Sequence, residues 1–322
     1  MIITKTPFRI SFVGGGTDFE DFYTKSYGAV LSTTIDRFMY VNLNKKFSEG
    51  YRVAYSKVED VGNVREINHP IVREAIIESG IKESLEISSM ADIPSKGSGL
   101  GSSSSYCVGL LNALYKFKGI NLEAKELAKK ASFIEIKKCG DPIGIQDQYA
   151  AAYGGMNLFT FTKNNVEVLK INNSQFVREI ESSLLFFYTG KTRSASKILK
   201  GHQDNINNGS SLSVLDDIKE IPFKLYESIK KENIDDFSYW INLNWKLKKT
   251  ASSASSNEKI DSIIETGLRN GALGAKLLGA GMEGFVMFVA PKNKHKKIID
   301  SLSSLSKQSF KFYFSGSEVV RL

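Results

Sequence analysis

Cysteine and histidine are scarce in this chain of 322 residues, which holds two of the first and three of the second. Cys107 and Cys139 show no metal-ligand spacing and make no disulfide framework, so buried, reduced thiols are expected. His69, His202 and His295 lie in unrelated loops and helices without partner spacing, which argues against a zinc site or a hydrolase triad. No apolar run reaches the length of a bilayer span, and the opening Met1 to Pro7 has neither the charged start nor the apolar core of a secretory signal. A cytoplasmic protein with no membrane partner is the expectation. Aromatic-basic clusters and helix-turn-helix patterns are missing as well. The net charge of +8 is therefore read as a general field from solvated helix faces such as residues 123–130, favouring small anions over nucleic acid.

What is present concentrates in one stretch. Lys96-Gly97-Ser98-Gly99-Leu100-Gly101-Ser102-Ser103-Ser104-Ser105 runs directly into an apolar segment of helical spacing, Tyr106 to Tyr115. Glycines let backbone amides approach an anion, and the unpaired amides of a first helical turn add partial positive charge. Serine oxygens can cap those amides or ligate a hard cation. The same composition suits a flexible linker, but both flanks read as ordered structure. No Lys-Ser/Thr follows the last glycine, which excludes a Walker A loop, and Gly99-Leu100-Gly101 lacks the third glycine of a dinucleotide fingerprint. A phosphate loop of another kind is required.

Elsewhere the pattern is mixed. Strands are predicted at residues 8–13, 29–34, 40–44, 51–55 and 85–90, with a hairpin over 153–162 and 166–171. Helices are predicted at 70–79, after the glycine loop, and at 122–139. A second half begins with an apolar strand at 184–188 and a helix from Ser194. Further helices follow at 212–231, 234–249, 258–270 and 294–304, with strands at 284–289 and 310–314. Without regular βα repeats this is an α+β chain. A boundary is placed between residues 176 and 177, giving units 1–176 and 177–322. Phe237, Tyr239, Trp240 and Trp245 in one helix read as core.

Four motifs in order resemble those of the GHMP kinases, the small-molecule kinases of galactose, homoserine, mevalonate and phosphomevalonate. They are Thr6-Pro7-Phe8-Arg9-Ile10-Ser11-Phe12-Val13-Gly14-Gly15-Gly16-Thr17-Asp18, the Lys96 to Ser105 loop, Glu135 with Asp141 to Gln148, and Lys276-Leu277-Leu278-Gly279-Ala280-Gly281-Met282-Glu283-Gly284-Phe285. The resemblance spans essentially the whole chain. It implies a ribosomal protein S5 domain 2-like N-terminal domain that binds ATP, a ferredoxin-like C-terminal domain, and a cleft between them. It also implies ATP and Mg²⁺ as cofactors, a sugar phosphate as acceptor, and a monomer or homodimer. Within the family, the opening motif and Tyr188 to Arg193 resemble kinases of D-glycero-D-manno-heptose 7-phosphate. These form the 1,7-bisphosphate for nucleotide-activated heptose and surface polysaccharide. A related sugar 1-kinase acting on an unphosphorylated sugar, and a silent kinase-like sensor, are the alternatives.

By this resemblance Lys96, Gly97, Ser98, Gly99, Leu100, Gly101, Ser102, Ser103 and Ser104 form the nucleotide loop. Ser103 and Glu135 are the expected metal ligands, with Ser102 and Ser104 as rival serines. Asp147 is the expected base for the anomeric hydroxyl, and Arg9 its cationic partner, which also stabilises the transferring phosphoryl group. Gly15, Gly16, Thr17 and Asp18 face the acceptor, although Asp18 suits a helix N-cap equally. Arg193, in Lys191-Thr192-Arg193, is expected to clamp an acceptor phosphate, and Gly279 and Gly281 to approach it closely. The chain departs from galactokinases in carrying Gly14-Gly15-Gly16 where they carry Gly-Glu-His. The missing carboxylate favours an anionic acceptor. It departs again at Met282-Glu283, where much of the family has further glycines.

Overall fold

The computed structural model describes residues 1–93, 97–190 and 195–320, with 195–197 described by backbone alone. The strands are β1 (Ile2–Val13), β2 (Gly28–Lys45), β3 (Tyr51–Ala54), β4 (Val58–Val61), β5 (Leu85–Ala91), β6 (Met156–Phe161), β7 (Val166–Ile171), β8 (Leu184–Tyr188), β9 (Gly274–Leu277), β10 (Phe285–Val289), β11 (Ser306–Gln308) and β12 (Glu318–Val320). The helices are α1 (Glu20–Tyr23), α2 (Pro70–Ser79), α3 (Ser102–Phe117), α4 (Ala124–Ser132), α5 (Gln146–Tyr153), α6 (Gln175–Ser183), α7 (Ala195–Asn207), α8 (Leu212–Lys230), α9 (Ile234–Ala251), α10 (Glu258–Arg269) and α11 (Lys292–Ser301). The α+β expectation is met.

Among the described residues, one sheet runs β12-β1-β2-β5-β3-β4, with β6 on β2 and β7 on β6. Besides β1, β2 serves two partners: residues 28–33 pair with β6 and residues 39–45 with β5. The sequence pattern splits β2 into two strands because the register against β1 jumps from Pro7↔Phe38 to Phe8↔Ile35, leaving Asp36 and Arg37 as a bulge. α3 packs over β1 and β2, and its apolar residues from Tyr106 to Tyr115 join the main core. The second sheet is antiparallel with order β11-β8-β10-β9. That is the 4-1-3-2 arrangement of a ferredoxin-like unit, here with helices α7 to α10 filling the first crossover.

Three expectations need correction. The strand predicted at 310–314 is an extended seam with one bridge, Phe312↔Ile35, and the second sheet closes on β11 instead. Its alternating aromatics mimic a strand because Phe310 packs on Phe186 and Phe312 on Phe12, with ring centroids 4.9 and 6.2 Å apart. A division at 176/177 also puts β12 in the second unit, whereas it pairs with β1 and completes the first sheet. Finally, the helix predicted over 122–139 winds as α4 and then as a π-helix at Phe133–Lys138. That wider turn carries Glu135 inward.

Candidate active site

A cleft of about 640 Å³ is lined by β1, the glycine loop, the start of α5, helices α7 and α9, and the turn after β9. Strand periodicity puts Arg9 and Ser11 on one face of β1, and both line the cleft. Gly101 precedes α3 in a left-handed conformation, φ +75°, and no side chain caps the helix. A helix start of this kind suits an external acceptor such as phosphate. Gly99 shows why this loop is glycine-rich: at φ +78° an added Cβ would lie 2.5 Å from the Leu278 carbonyl oxygen. Reciprocally, a Cβ on Gly279 would lie 2.3 Å from the Gly99 Cα. The loop of the first half and the turn of the second thus meet backbone to backbone.

Arg9 and Asp147 form a two-pronged ion pair. Arg9 Nε donates to Asp147 Oδ1 at 2.6 Å and Nη2 to Oδ2 at 2.7 Å. Its remaining nitrogen, Nη1, donates to the Gly99 carbonyl at 2.7 Å. Asp147 sits in the first turn of α5, where the helix dipole favours a carboxylate. Glu135, fully buried behind the serine run, accepts from Ser103 Oγ at 2.8 Å and from Gln148 Nε2 at 2.6 Å. Burial pushes its carboxyl up to about 7 despite these donors.

Asp18, also buried, accepts from the Gly16 amide at 3.0 Å and from the Gln146 amide and Nε2 at 3.2 and 3.0 Å. It does not cap the helix that follows it, since α1 starts after Phe19 without a side-chain cap; the first amide of α5, Gln146, is the one it accepts. Burial, and secondarily the charge of Asp147, raises its pKa. Gly15 leaves room beside it: a Cβ there would come within 3.4 Å of Gln146 Nε2.

Of the residues singled out in the sequence, Arg9, Gly15, Gly16, Asp18, Gly97, Gly99, Gly101, Ser102, Ser103, Ser104, Asp147 and Gly279 all line this cleft. Others do not. Ser98 and Leu100 are fully buried, and Leu100 serves the core and accepts the Arg9 amide at 3.0 Å. Thr17 is buried and ties Gly14 to β2, its hydroxyl lying 2.8 Å from the Gly14 carbonyl and 3.0 Å from the Ala29 amide. Gly281 is packed away from the cleft lining, where an added Cβ would lie 2.8 Å from the Ala254 carbonyl oxygen and from the Ser255 Cα. Lys96 and the Lys191 to Arg193 segment lie outside the described residues. Met282 takes the left-handed conformation expected of glycine, φ +70°, held by its amide on the Ser255 carbonyl and its carbonyl on Asn257 Nδ2.

Sequence reasoning missed several cleft residues: Gln146, His202, Asn244, Lys248 and Lys276. His202, which has no partner spacing in the sequence, lines the cleft, with burial lowering its pKa to about 4. Burial also lowers Lys248 to about 8 and Lys276 well below the usual lysine range. Lys276 and Gln146 stand within two of the quoted motifs. His202, Asn244 and Lys248 occupy polar positions in helices that read as solvent faces. Cys107 and Cys139 are free, as expected, and burial raises both thiols. Phe237 and Trp245 are core, whereas Tyr239 is exposed.

Residues 68–155 match the family model of the GHMP kinases N terminal domain, and residues 225–308 that of the GHMP kinases C terminal. D-glycero-alpha-D-manno-heptose 7-phosphate kinase of Campylobacter jejuni is 31% identical over 317 residues, covering 94% of this chain and 93% of that protein. Galactokinase of Pyrococcus furiosus is 25% identical over 340 residues, covering 94% and 92%. Among solved structures, a D-glycero-D-manno-heptose 1-phosphate kinase from Bacteroides thetaiotaomicron shares the fold, with a TM-score of 0.83 over 100% of this chain and 99% of its own at 23% identity.

Proposed function

The chain belongs to the GHMP kinase family and is an ATP-dependent sugar kinase, and on that premise we propose that it phosphorylates the anomeric hydroxyl of D-glycero-D-manno-heptose 7-phosphate to give the 1,7-bisphosphate. The observation that carries the catalytic reading is the two-pronged Arg9–Asp147 pair joined through Gly99 to the glycine loop. The choice of acceptor rests on the Campylobacter jejuni relative and on the side-chain-free Gly14 to Gly16 segment.

In this reading the uncapped first turn of α3 and the amides of Gly97, Gly99 and Gly101 hold the nucleotide's phosphates. Ser103 and Glu135 supply two hard oxygens 2.8 Å apart, and no cluster of three or more metal-binding side chains occurs among the described residues. Two protein oxygens complemented by phosphate oxygens suit Mg²⁺. The ion, when bound, neutralises charge on the phosphates. Asp147 accepts the proton of the attacking hydroxyl, and Arg9 fixes the carboxylate's orientation while presenting positive charge toward the glycine loop. Asp18 and Gln146 orient the sugar's hydroxyls. Arg193 remains the proposed clamp on the acceptor's phosphate, in a protein of the cytoplasm.

ADP release measured across a panel of free sugars and sugar 7-phosphates tests this. Turnover with a heptose 7-phosphate well above that with any free sugar is expected. Activity confined to unphosphorylated sugars overturns the acceptor, and ADP release with none overturns the kinase reading.

A further inference from the structure

Two lysines, Lys276 buried and Lys248 half-buried, stand on the second half's side of the cleft. Lys248 on α9 and Lys276 on β9 both line the cleft, yet neither forms an ion pair among the described residues. Lys248 Nζ donates to the Gly279 carbonyl at 2.5 Å, and Lys276 Nζ donates to the Ser11 and Phe12 carbonyls at 2.7 Å each. An ammonium has three protons. Two on Lys248 and one on Lys276 are left beyond these bonds. The adjacent residue, Lys249, behaves as an ordinary surface lysine and pairs with Asp261 at 2.9 Å.

An ammonium taken out of water without a counter-ion costs several kcal/mol, on the order of the whole margin of stability of a small domain. A chain that keeps a buried and a half-buried lysine facing one cleft has a use for an anion there. Lys248 is placed for it: its anchor, Gly279, touches Gly99, whose carbonyl holds Arg9. We propose that Lys248, with Lys276 beside it on the same wall, binds a phosphate group in the cleft as the second half's contribution to the site. That phosphate comes either from the acceptor or from the group in transfer, and only this assignment of source rests on the kinase reading above.

The groups facing Lys248 are Arg9 on β1, Asp147 on α5, Asp18 in the loop after β1, His202 on α7 and Lys276 on β9. Arg9 opposes its charge, whereas the two aspartates favour it; Lys248 and Arg9 in turn oppose a charge on Lys276, and His202 is neutral at physiological pH. Burial dominates and leaves the ammonium to titrate at about 8 in the free protein. Phosphate affinity should therefore weaken as the pH rises beyond about 8.

The test titrates inorganic phosphate calorimetrically into ADP-saturated protein, wild type against Lys248→Met, with Lys248→Arg and Lys249→Met alongside. Lys248→Met should bind phosphate at least about tenfold more weakly and lose the decline above pH 8, while Lys249→Met stays within about twofold of wild type. Lys248→Arg should restore most of the affinity, and thermal melting checks that each variant folds. Kinetics assign the source. A tenfold rise in KM confined to phosphorylated acceptors indicates the acceptor's phosphate, and a tenfold fall in kcat for all acceptors indicates the group in transfer. Phosphate binding by a folded Lys248→Met within twofold of wild type, at every pH, overturns the proposal. Because the titration needs no turnover, it stands or falls independently of the sugar kinase reading.

Discussion

Arg9, from β1, meets Asp147 with two parallel hydrogen bonds and spends its remaining nitrogen on a backbone carbonyl. Across the cleft, Lys248 and Lys276 rest on carbonyls alone. One wall thus carries a charge pair complete before any ligand arrives, and the other carries charge awaiting completion. A finished pair holds its geometry cheaply, as suits a proton acceptor that must point in one direction. Unanswered cations tax the folded state and return that cost as affinity when an anion enters.

Removing the finished pair should do the most damage. Asp147→Asn keeps the shape but not the base, and kcat should fall by about 10²–10⁴ with ATP affinity changed less than about threefold. Near-normal turnover, measured as ADP release, would erase the distinction between the walls. The contact that holds the walls in register comes next. Gly279→Ala forces a Cβ to 2.3 Å from the Gly99 Cα in a left-handed backbone, and should cost about 2–4 kcal/mol in denaturant unfolding.

Glu135 sharpens the comparison, because it is a buried acid on the first wall whose charge is incomplete in the manner of the lysines. Its folded pKa, about 7, lies above its ordinary 4.5, so the folded protein holds the extra proton in between. Without divalent metal, the stability from this group is full below about 4.5 and declines as pH rises toward 7. Glu135→Gln should remove that decline, leaving the variant more stable at pH 8 by on the order of 2 kcal/mol while Mg²⁺-dependent turnover is lost. Equal pH-stability curves for the two proteins would count against it. The smallest effect belongs to the scaffold: Thr17→Val strands the Ala29 amide and should cost about 1–2 kcal/mol in thermal stability, with KM for the acceptor shifted only a few-fold.

Much of this was legible beforehand, for identifiable reasons. A glycine loop against a helix start, an Arg in an alternating strand and an Asp at a turn are local patterns, and local sterics and periodicity write them into contiguous residues. Glu135 could be nominated as a ligand, but its burial depended on a π-helical turn that no 3.6-residue periodicity announces. The aromatic alternation of residues 310–314 promised a strand and delivered a seam, since two sheets need a filler as much as either needs an edge. His202 and Lys248 gave no warning. A polar residue on an amphipathic helix points to solvent unless another part of the chain happens to stand opposite.

The sequence by itself determined where a phosphate loop lies, that an α+β chain surrounds it, and which family's motifs it repeats, because each follows from short-range backbone preference. Only the tertiary structure decided which charges meet. Pairing Arg9 with Asp147, and leaving Lys248 and Lys276 on backbone carbonyls beside them, depends on contacts that span 138 positions for Arg9–Asp147, 265 for Lys276–Ser11 and 31 for Lys248–Gly279. Coulomb energy depends on separation and burial in space, and chain order records neither.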